Sequence, residues 1–211
     1  MQLPRKKLES PAEGVSRRTF LKGAGIAAAA VGVSGVDVAG ETPSSQESLI
    51  VGPGPVPFQL TINGDTRSIE VPPSTTLLDL LRDKLGMTGS KRVCDRGSCG
   101  ACTVMFDGKI VDSCSILAID AVGREITTIE GIGTPENLSA LQQAFIECDA
   151  LQCGFCTPAM VVSCTALLND NAKPTRDEIR AGISGNLCRC GTYINVFEAV
   201  EKTSGQGGRD D

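Results

Sequence analysis

The spacing of apolar and polar residues divides the chain into a β-rich part and a helical part. Residues 58–62 alternate as a strand does, and after a tight turn residues 67–71 return as a second strand. A leucine-rich stretch that ends at Gly86 predicts an amphipathic helix, since its apolar residues recur at helical spacing. A second hairpin is predicted over 103–111 and a short strand over 126–129. The pattern therefore favours two hairpins around one helix.

From residue 135 onward the apolar residues follow a helical period, which predicts four helices. Thr175 and Glu178 have the spacing of a capping box and open the third of them, and residues 193–200 form the fourth. The fold class is therefore α+β, with a four-helix bundle over residues 135–204 after the β-rich part over 58–134. The first two helices carry apolar stripes, namely Leu138, Leu141, Phe145 and Cys148, and Met160, Val161, Cys164, Leu167 and Leu168.

The N-terminal segment indicates export. Residues 16–22 (SRRTFLK) resemble the twin-arginine export motif of bacteria, and a weakly apolar run of about 14 residues follows, shorter than the roughly 20 that a membrane-spanning helix needs. We assign residues 1–36 to a signal peptide, the Gly-, Pro- and Ser-rich residues 37–57 to a flexible linker, and residues 205–211 to a disordered tail. The expected location is the periplasm, without a membrane anchor after processing. The alternative is a basic tail before an Ala-rich helix.

Composition limits the classes of function. Of the 211 residues 41% are hydrophobic but only 3% are aromatic, so the cores cannot depend on large rings. Metal binding adds folding free energy and would compensate for this. The formal net charge of −5 argues against a nucleic-acid partner, because such proteins neutralise phosphates with Lys and Arg. The chain has no histidine and shows no acid–base or nucleophilic constellation.

Eight of the ten cysteines fall into two sets with the spacing of [2Fe–2S] ligands. The first set is C-x4-C-x2-C-x11-C, in which small residues and glycines let the backbone wrap a cluster. Its x4–x2 spacing is typical of plant-type [2Fe–2S] proteins and, with the two hairpins, predicts a ferredoxin-like β-grasp domain over residues 58–134. The alternatives are a zinc site, although zinc prefers paired C-x2-C arms, or two disulfides. The four cysteines are Cys94, Cys99, Cys102 and Cys114.

The second set is C-x2-C-x31-C-x1-C, in the helical part. Adjacent thiolates of a C-x-C pair would strain tetrahedral zinc, whereas they can serve the two irons of one cluster. Both arms are predicted at helix starts, where amide groups and the helix dipole stabilise negative charge. Two such sets are typical of a single-electron carrier. The four cysteines are Cys153, Cys156, Cys188 and Cys190.

Over residues 58–205 the chain resembles the small iron–sulfur subunit of the xanthine oxidase family of molybdenum hydroxylases. The resemblance rests on the C-D-x-G-x-C-G-A-C loop at 94–102, the Q-C-G-F-C-T-P-A segment at 152–159 and G-N-L-C-R-C-G at 185–191. The C-R-C-G-x-Y ending, where most members have C-R-C-T-G-Y, and the twin-arginine signal favour the periplasmic aldehyde oxidoreductases within that family.

This resemblance implies a complex of three subunits. A large subunit would hold molybdenum on a molybdopterin cytosine dinucleotide and oxidise an aldehyde, and a medium subunit would hold FAD. The second cysteine set would lie nearer the molybdenum and the first nearer FAD, so that this chain passes single electrons between them. The position of Gln152 makes it a candidate contact to the pterin, and the alternative is a helix-capping role.

Several alternatives stay open at the level of sequence. The chain could serve a hydroxylase of N-heterocycles such as purines or isoquinoline, or act as a free-standing two-cluster ferredoxin. A further alternative is a binding module held together by disulfides, which would be colourless. Cys148 and Cys164 lie on apolar helical stripes and are predicted to be buried core thiols, with a disulfide after export as the alternative.

Overall fold

The computed structural model describes residues 52–205, all of which belong to one compact unit. The predicted signal peptide, residues 37–51 of the predicted linker and residues 206–211 of the predicted tail lie outside the described residues. No helix within residues 52–205 is long and apolar enough to cross a membrane.

The β-rich part is a five-stranded mixed sheet in the order β2-β1-β5-β3-β4. The first hairpin pairs Phe58 with Ile69, and β5 lies parallel to β1 and antiparallel to β3, so it joins the two hairpins. Both predicted hairpins are confirmed, and β1 begins two residues earlier than predicted. The strands are β1 (Val56–Ile62), β2 (Asp65–Val71), β3 (Thr103–Phe106), β4 (Lys109–Asp112) and β5 (Glu125–Thr127).

The predicted leucine-rich helix is present but irregular. A short α-helix, α1 (Leu77–Asp79), whose first turn is capped by the Thr76 hydroxyl, passes directly into a π-helical turn, Leu80–Lys84. The predicted amphipathic helix is therefore present, but its second part has the wider π-helical turn. Four leucines of this segment are fully buried. These are Leu77, Leu78, Leu80 and Leu81.

Short 3-10 segments replace regular structure around the sheet. The segment Ser113–Ser115 contains Cys114, and the segment Ile129–Gly131 ends the last strand earlier than predicted. Leu78 packs against Cys102 and Cys114, so one leucine of the helical segment faces the first cysteine loop rather than the main sheet core.

Four helices follow the sheet, as predicted. Thr175 and Glu178 form the predicted capping box, and Ser139 with Gln142 forms a second one. The core that the four helices share includes Phe145 and Cys164, both almost fully buried. The helices are α2 (Ala140–Glu147), α3 (Thr157–Asp170), α4 (Arg176–Gly182) and α5 (Tyr193–Thr203).

Helix α3 also packs on the sheet. Val162 and Ala166 on this helix are buried against Met105 of strand β3. The two halves therefore share an apolar contact, which places the start of α3 near the loop that precedes β3.

Candidate metal centres

The structure brings the four cysteines of the first set together around one loop. Besides backbone hydrogen bonds, nearby Cys99 lowers the pKa of the Cys94 thiol, and besides burial, nearby Cys114 raises the pKa of the Cys102 thiol. Consecutive backbone amides link the two pairs: Gly97 N donates to Cys114 Sγ at 3.2 Å, and Ser98 N donates to Cys94 Sγ at 3.3 Å. Two of the four predicted ligands of the first set, Cys94 and Cys114, therefore accept hydrogen bonds from the same short stretch of backbone.

Glycine makes this wrapping possible. Gly97 has φ +66°, in the left-handed region, and a Cβ there would lie 2.8 Å from the Ser115 hydroxyl oxygen. Since glycine alone adopts that conformation without steric cost, the loop can turn its amides inward to the sulfurs. Successive inward amides form a concavity that favours an anion.

The environments of the first-set thiols differ. Hydrogen bonds from the backbone amides of Arg96 and Ser98 lower the pKa of Cys94 to about 7. Burial raises the pKa of the Cys102 thiol to about 12. One pair is therefore at the outer side of the loop, and the other is desolvated beneath it.

Three cysteines of the second set influence one another. Besides burial, nearby Cys188 and Cys153 raise the pKa of the Cys156 thiol. Cys190 is exposed two residues beyond Cys188, and within residues 52–205 no hydrogen bond joins it to the other three. Cys156 is the N-cap of α3, and Cys188 and Cys190 precede α5, as predicted.

Opposing effects act on the two partly buried thiols of the second set. Burial raises the pKa of Cys156 to about 12. Desolvation acts in the same direction on Cys188, but hydrogen bonds from the Thr192 side chain and backbone outweigh it and lower the pKa of Cys188 to about 7. Thr192 Oγ1 lies 3.3 Å from Cys188 Sγ.

Both sets suit a two-iron cluster by the chemistry of their donors. Each iron of a [2Fe–2S] centre takes two protein ligands, and each set supplies two thiols that are more exposed and two that are less exposed. Within the described part of the chain, no group of three or more Cys, Asp or Glu side chains is arranged for a single metal ion. Amide and hydroxyl groups already face the sulfurs and would stabilise thiolates.

Gln152 and the two remaining cysteines are placed as follows. Gln152 is exposed beside Cys153, and it does not cap a helix, because the N-cap of α3 is Cys156. Cys164 is fully buried, as predicted, whereas Cys148 is only partly buried at the C-cap of α2, so the prediction of a buried thiol was wrong there. All ten cysteines are free thiols in the structure.

Residues outside the cysteine sets hold the second loop in place. Cys188 N donates to the Tyr193 hydroxyl at 2.7 Å, and that hydroxyl donates to the Asn186 carbonyl at 3.3 Å. The buried Asn186 side chain also bonds to Ser163. The sequence alone assigns no role to Asn186, because its hydrogen-bond partners are distant along the chain.

The two cysteine loops touch each other. Leu187 N donates to the Cys99 carbonyl oxygen at 2.9 Å. Asn186 Nδ2 donates to the Gly100 carbonyl oxygen, also at 2.9 Å. The residues just before Cys188 are therefore hydrogen-bonded directly to the loop that carries Cys99.

Family models match the chain in three places. A 2Fe-2S iron-sulfur cluster binding domain matches residues 60–129, a [2Fe-2S] binding domain matches residues 128–201, and a twin-arginine translocation signal matches residues 14–34. The predicted signal and two cluster-binding domains therefore each have a counterpart among known families.

Relatives agree with these matches. The aldehyde oxidoreductase iron-sulfur-binding subunit PaoA of Escherichia coli K12 is 40% identical over 91% of this chain and 89% of its own length. The nicotinate dehydrogenase small FeS subunit of Eubacterium barkeri is 47% identical over 69% of this chain and 92% of its own.

Solved structures support the same family. A chain of quinoline 2-oxidoreductase from Pseudomonas putida 86 matches with a TM-score of 0.66 and 42% identity, over 72% of this chain and 98% of that one. The aldehyde oxidoreductase of Desulfovibrio gigas matches with a TM-score of 0.68 and 41% identity, over 71% of this chain but only 17% of that one. The chain belongs to the small [2Fe–2S] subunits of the xanthine oxidase family of molybdenum hydroxylases.

Proposed function

We propose that the chain is the electron-transfer subunit of an exported, molybdenum-dependent aldehyde oxidoreductase. The observation that carries the proposal is the contact between the two cysteine loops, through which both predicted ligand sets belong to one hydrogen-bonded unit. Such an arrangement suits a conduit between two redox sites on partner subunits.

The proposed ligands are the eight cysteines of the two sets. In the first set, Cys94 with Cys99 would hold one iron and Cys102 with Cys114 the other, because the first pair is partly exposed and the second pair is buried. In the second set, partly buried Cys156 and Cys188 would hold one iron, and exposed Cys153 and Cys190 the other. When bound, a [2Fe–2S] cluster supplies one-electron redox chemistry.

The surrounding residues prepare these sites for negative charge. The amides of Gly97 and Ser98 face first-set sulfurs, and Thr192 faces Cys188. Such donors stabilise the thiolate and the cluster that it binds, and hydrogen bonds of this kind tune the reduction potential. Leu78 packs against Cys102 and Cys114 and keeps water from that side of the first loop.

A partner subunit is expected to cover the second set. Cys153 and Cys190 are exposed, and apolar side chains are exposed beside them: Phe155 at 51% and Leu187 at 58%. A cluster held there would face water unless another protein covered it, and exposed apolar side chains near a site mark such a surface. We assign this surface to the molybdenum-binding large subunit, with exposed Gln152 as a contact to its pterin.

A medium FAD-binding subunit would receive electrons from the first set. The proposal follows from the family and from the order of the two sets along the conduit. A pair of one-electron sites would divide the two electrons of an aldehyde oxidation into single transfers, for which FAD is a suitable acceptor.

An aldehyde is the favoured substrate, because PaoA is similar to a larger part of this chain than the nicotinate dehydrogenase subunit is. PaoA matches 91% of the chain, whereas the nicotinate dehydrogenase subunit matches 69%. The N-heterocycle hydroxylases are the second candidate, because the nicotinate enzyme's subunit is 47% identical within the matched part. The twin-arginine signal supports export in a folded state to the periplasm.

Low-temperature EPR with iron quantitation tests the proposal on the complex purified without added reductant. Two distinct [2Fe–2S] signals after dithionite reduction, with about four irons per chain, are expected from two clusters. A colourless, iron-free chain would contradict the proposal and favour disulfides. An iron-loaded chain that purifies without partners would favour the free-standing ferredoxin.

A further inference from the structure

We propose that Asn186 is a positioning residue that locks the two cysteine loops together and so fixes the separation of the two cluster sites. The inference rests on the proposed function, since it assumes that both sets hold clusters. It concerns a residue that is not itself a ligand and that lies between the two sets.

The side chain of Asn186 is fully used and almost fully buried, at 2% exposure. Its Nδ2 donates to the Gly100 carbonyl oxygen at 2.9 Å and to Thr103 Oγ1 at 3.0 Å. Its Oδ1 accepts a hydrogen bond from Ser163 Oγ at 2.7 Å. One amide therefore ties the second cysteine loop to the first loop, to the start of β3 and to helix α3.

These contacts lie at the backbone that carries the ligands. Gly100 follows Cys99, and Asn186 is two residues before Cys188. The next residue, Leu187, donates its backbone amide to the Cys99 carbonyl oxygen at 2.9 Å. A shift of the Asn186 side chain would therefore move both cysteines relative to each other.

A buried and fully satisfied amide specifies one arrangement where an apolar side chain would allow several. Any other relative position of the two loops would leave Nδ2 or Oδ1 buried without a partner, which destabilises that arrangement. Apolar packing of α3 on β3 has no comparable preference for one register, because dispersion contacts are non-directional. The hydrogen bonds of Asn186 thus specify the relative position of the two loops, which the apolar contact does not.

Separation matters because transfer between the sites moves one electron and no atoms. One site loses the electron and the other gains it, and no bond is made or broken. The rate of such a transfer, and the magnetic interaction between two paramagnetic sites, both fall steeply as their separation grows. Because Asn186 holds the two loops in place, it also determines the transfer rate and the magnetic interaction between the two sites.

The test uses the complete iron-loaded complex and three variants. Asn186→Asp keeps the shape and the acceptor oxygen but places an oxygen where Nδ2 faced the Gly100 carbonyl. Ser163→Ala removes only the donor to Oδ1 and is the milder variant if Asn186→Asp fails to fold. The matched control is Asn195→Asp, because Asn195 Nδ2 also donates to a backbone carbonyl, that of Cys148 at 2.8 Å, but within the helical domain.

Two readouts are compared: the spin–spin interaction in EPR of the fully reduced protein, and amide hydrogen exchange over residues 99–103 and 185–188. We expect Asn186→Asp to weaken the spin–spin interaction and to speed exchange in both segments by about tenfold or more, the loss expected for a buried hydrogen bond. Ser163→Ala should do the same to a smaller extent. Asn195→Asp should leave the spin–spin interaction unchanged even if it lowers stability.

The inference alone would be overturned if iron-loaded Asn186→Asp showed the wild-type spin–spin interaction and wild-type hydrogen exchange. Ser163→Ala takes its place in this comparison if Asn186→Asp does not fold. An equal loss of coupling in Asn195→Asp would also overturn it, since the effect would then reflect general instability. A wild-type complex without iron would instead overturn the proposed function, and iron content separates that case from the others.

Discussion

Gly100 lies against Gly185 so closely that a Cβ on Gly100 would be 2.3 Å from the Gly185 carbonyl oxygen. Gly100 also has φ +65°, a conformation that L side chains rarely adopt. Both the close approach and the backbone conformation require glycine here. The two cysteine loops thus meet at a point where no side chain fits.

Replacing Gly100 by alanine should therefore destabilise the protein more than its backbone conformation alone explains. The strained φ costs about 1–2 kcal/mol, and separation of the loops adds to it. The matched control is Gly123→Ala, since Gly123 has φ +77° but no atom within 4 Å of a built Cβ. Apparent melting temperatures of the iron-loaded variants check this, and equal losses in the two variants would contradict the predicted clash.

Loss of one ligand should remove one cluster and leave the other. Cys102→Ala should lose the first cluster and Cys153→Ala the second, because the two sets have no cysteine in common. Each variant should keep about two of about four irons and one of the two EPR signals. Cys164→Ala is the control and should keep all the iron. If Cys153→Ala kept both signals, Cys153 would not be a ligand.

The two cysteines outside the sets should react differently with a thiol reagent. Burial raises the pKa of Cys164 to about 12, so at pH 8 its thiol is protonated as well as inaccessible. Cys148 is partly exposed and should react in the folded, iron-loaded protein. Mass spectrometry after maleimide treatment should show one modification, lost in Cys148→Ser. Rapid modification of Cys164 between pH 7 and 9 would contradict its burial.

Phe155 should matter for assembly rather than for folding. Its ring is 51% exposed between Cys153 and Cys156, so Phe155→Ser removes apolar surface without opening the core. We expect the molybdenum subunit to co-purify at a yield lowered by about tenfold or more, as for the loss of an interface anchor, with iron content unchanged. Val122→Ser is the control, since Val122 is 49% exposed but lies in the sheet domain. Undiminished co-purification of Phe155→Ser would place the interface elsewhere.

Conversion of Arg17 and Arg18 to lysine should retain the enzyme in the cytoplasm. The segment matches the twin-arginine signal family over residues 14–34. Because the partner subunits are expected to leave the cell interior bound to this chain, the aldehyde-oxidising activity should stay with them. Fractionation of cells with an activity assay checks this, and a periplasmic large subunit in the variant would show independent export.

Regular elements were well predicted where the side-chain period was clear. Alternation over 58–62 and the capping box at Thr175 gave correct elements, because both depend on residues close together in the chain. The leucine-rich segment was predicted as an amphipathic helix, but its residue spacing did not indicate the change to a π turn at Leu80. The partial exposure of Cys148 was not predicted either, because it depends on where α2 ends.

The sequence by itself determined the chemistry of this protein. Thiol spacing, glycines between the thiols and an export signal are local features, so they predict two [2Fe–2S] sites and export without reference to packing. The tertiary structure alone decided how the two sites are joined. Asn186 and Gly100 are 86 residues apart, and no local pattern encodes their hydrogen bond. That contact forms only when α3 packs on β3 and brings the two loops together, since the apolar burial there involves residues from both halves of the chain.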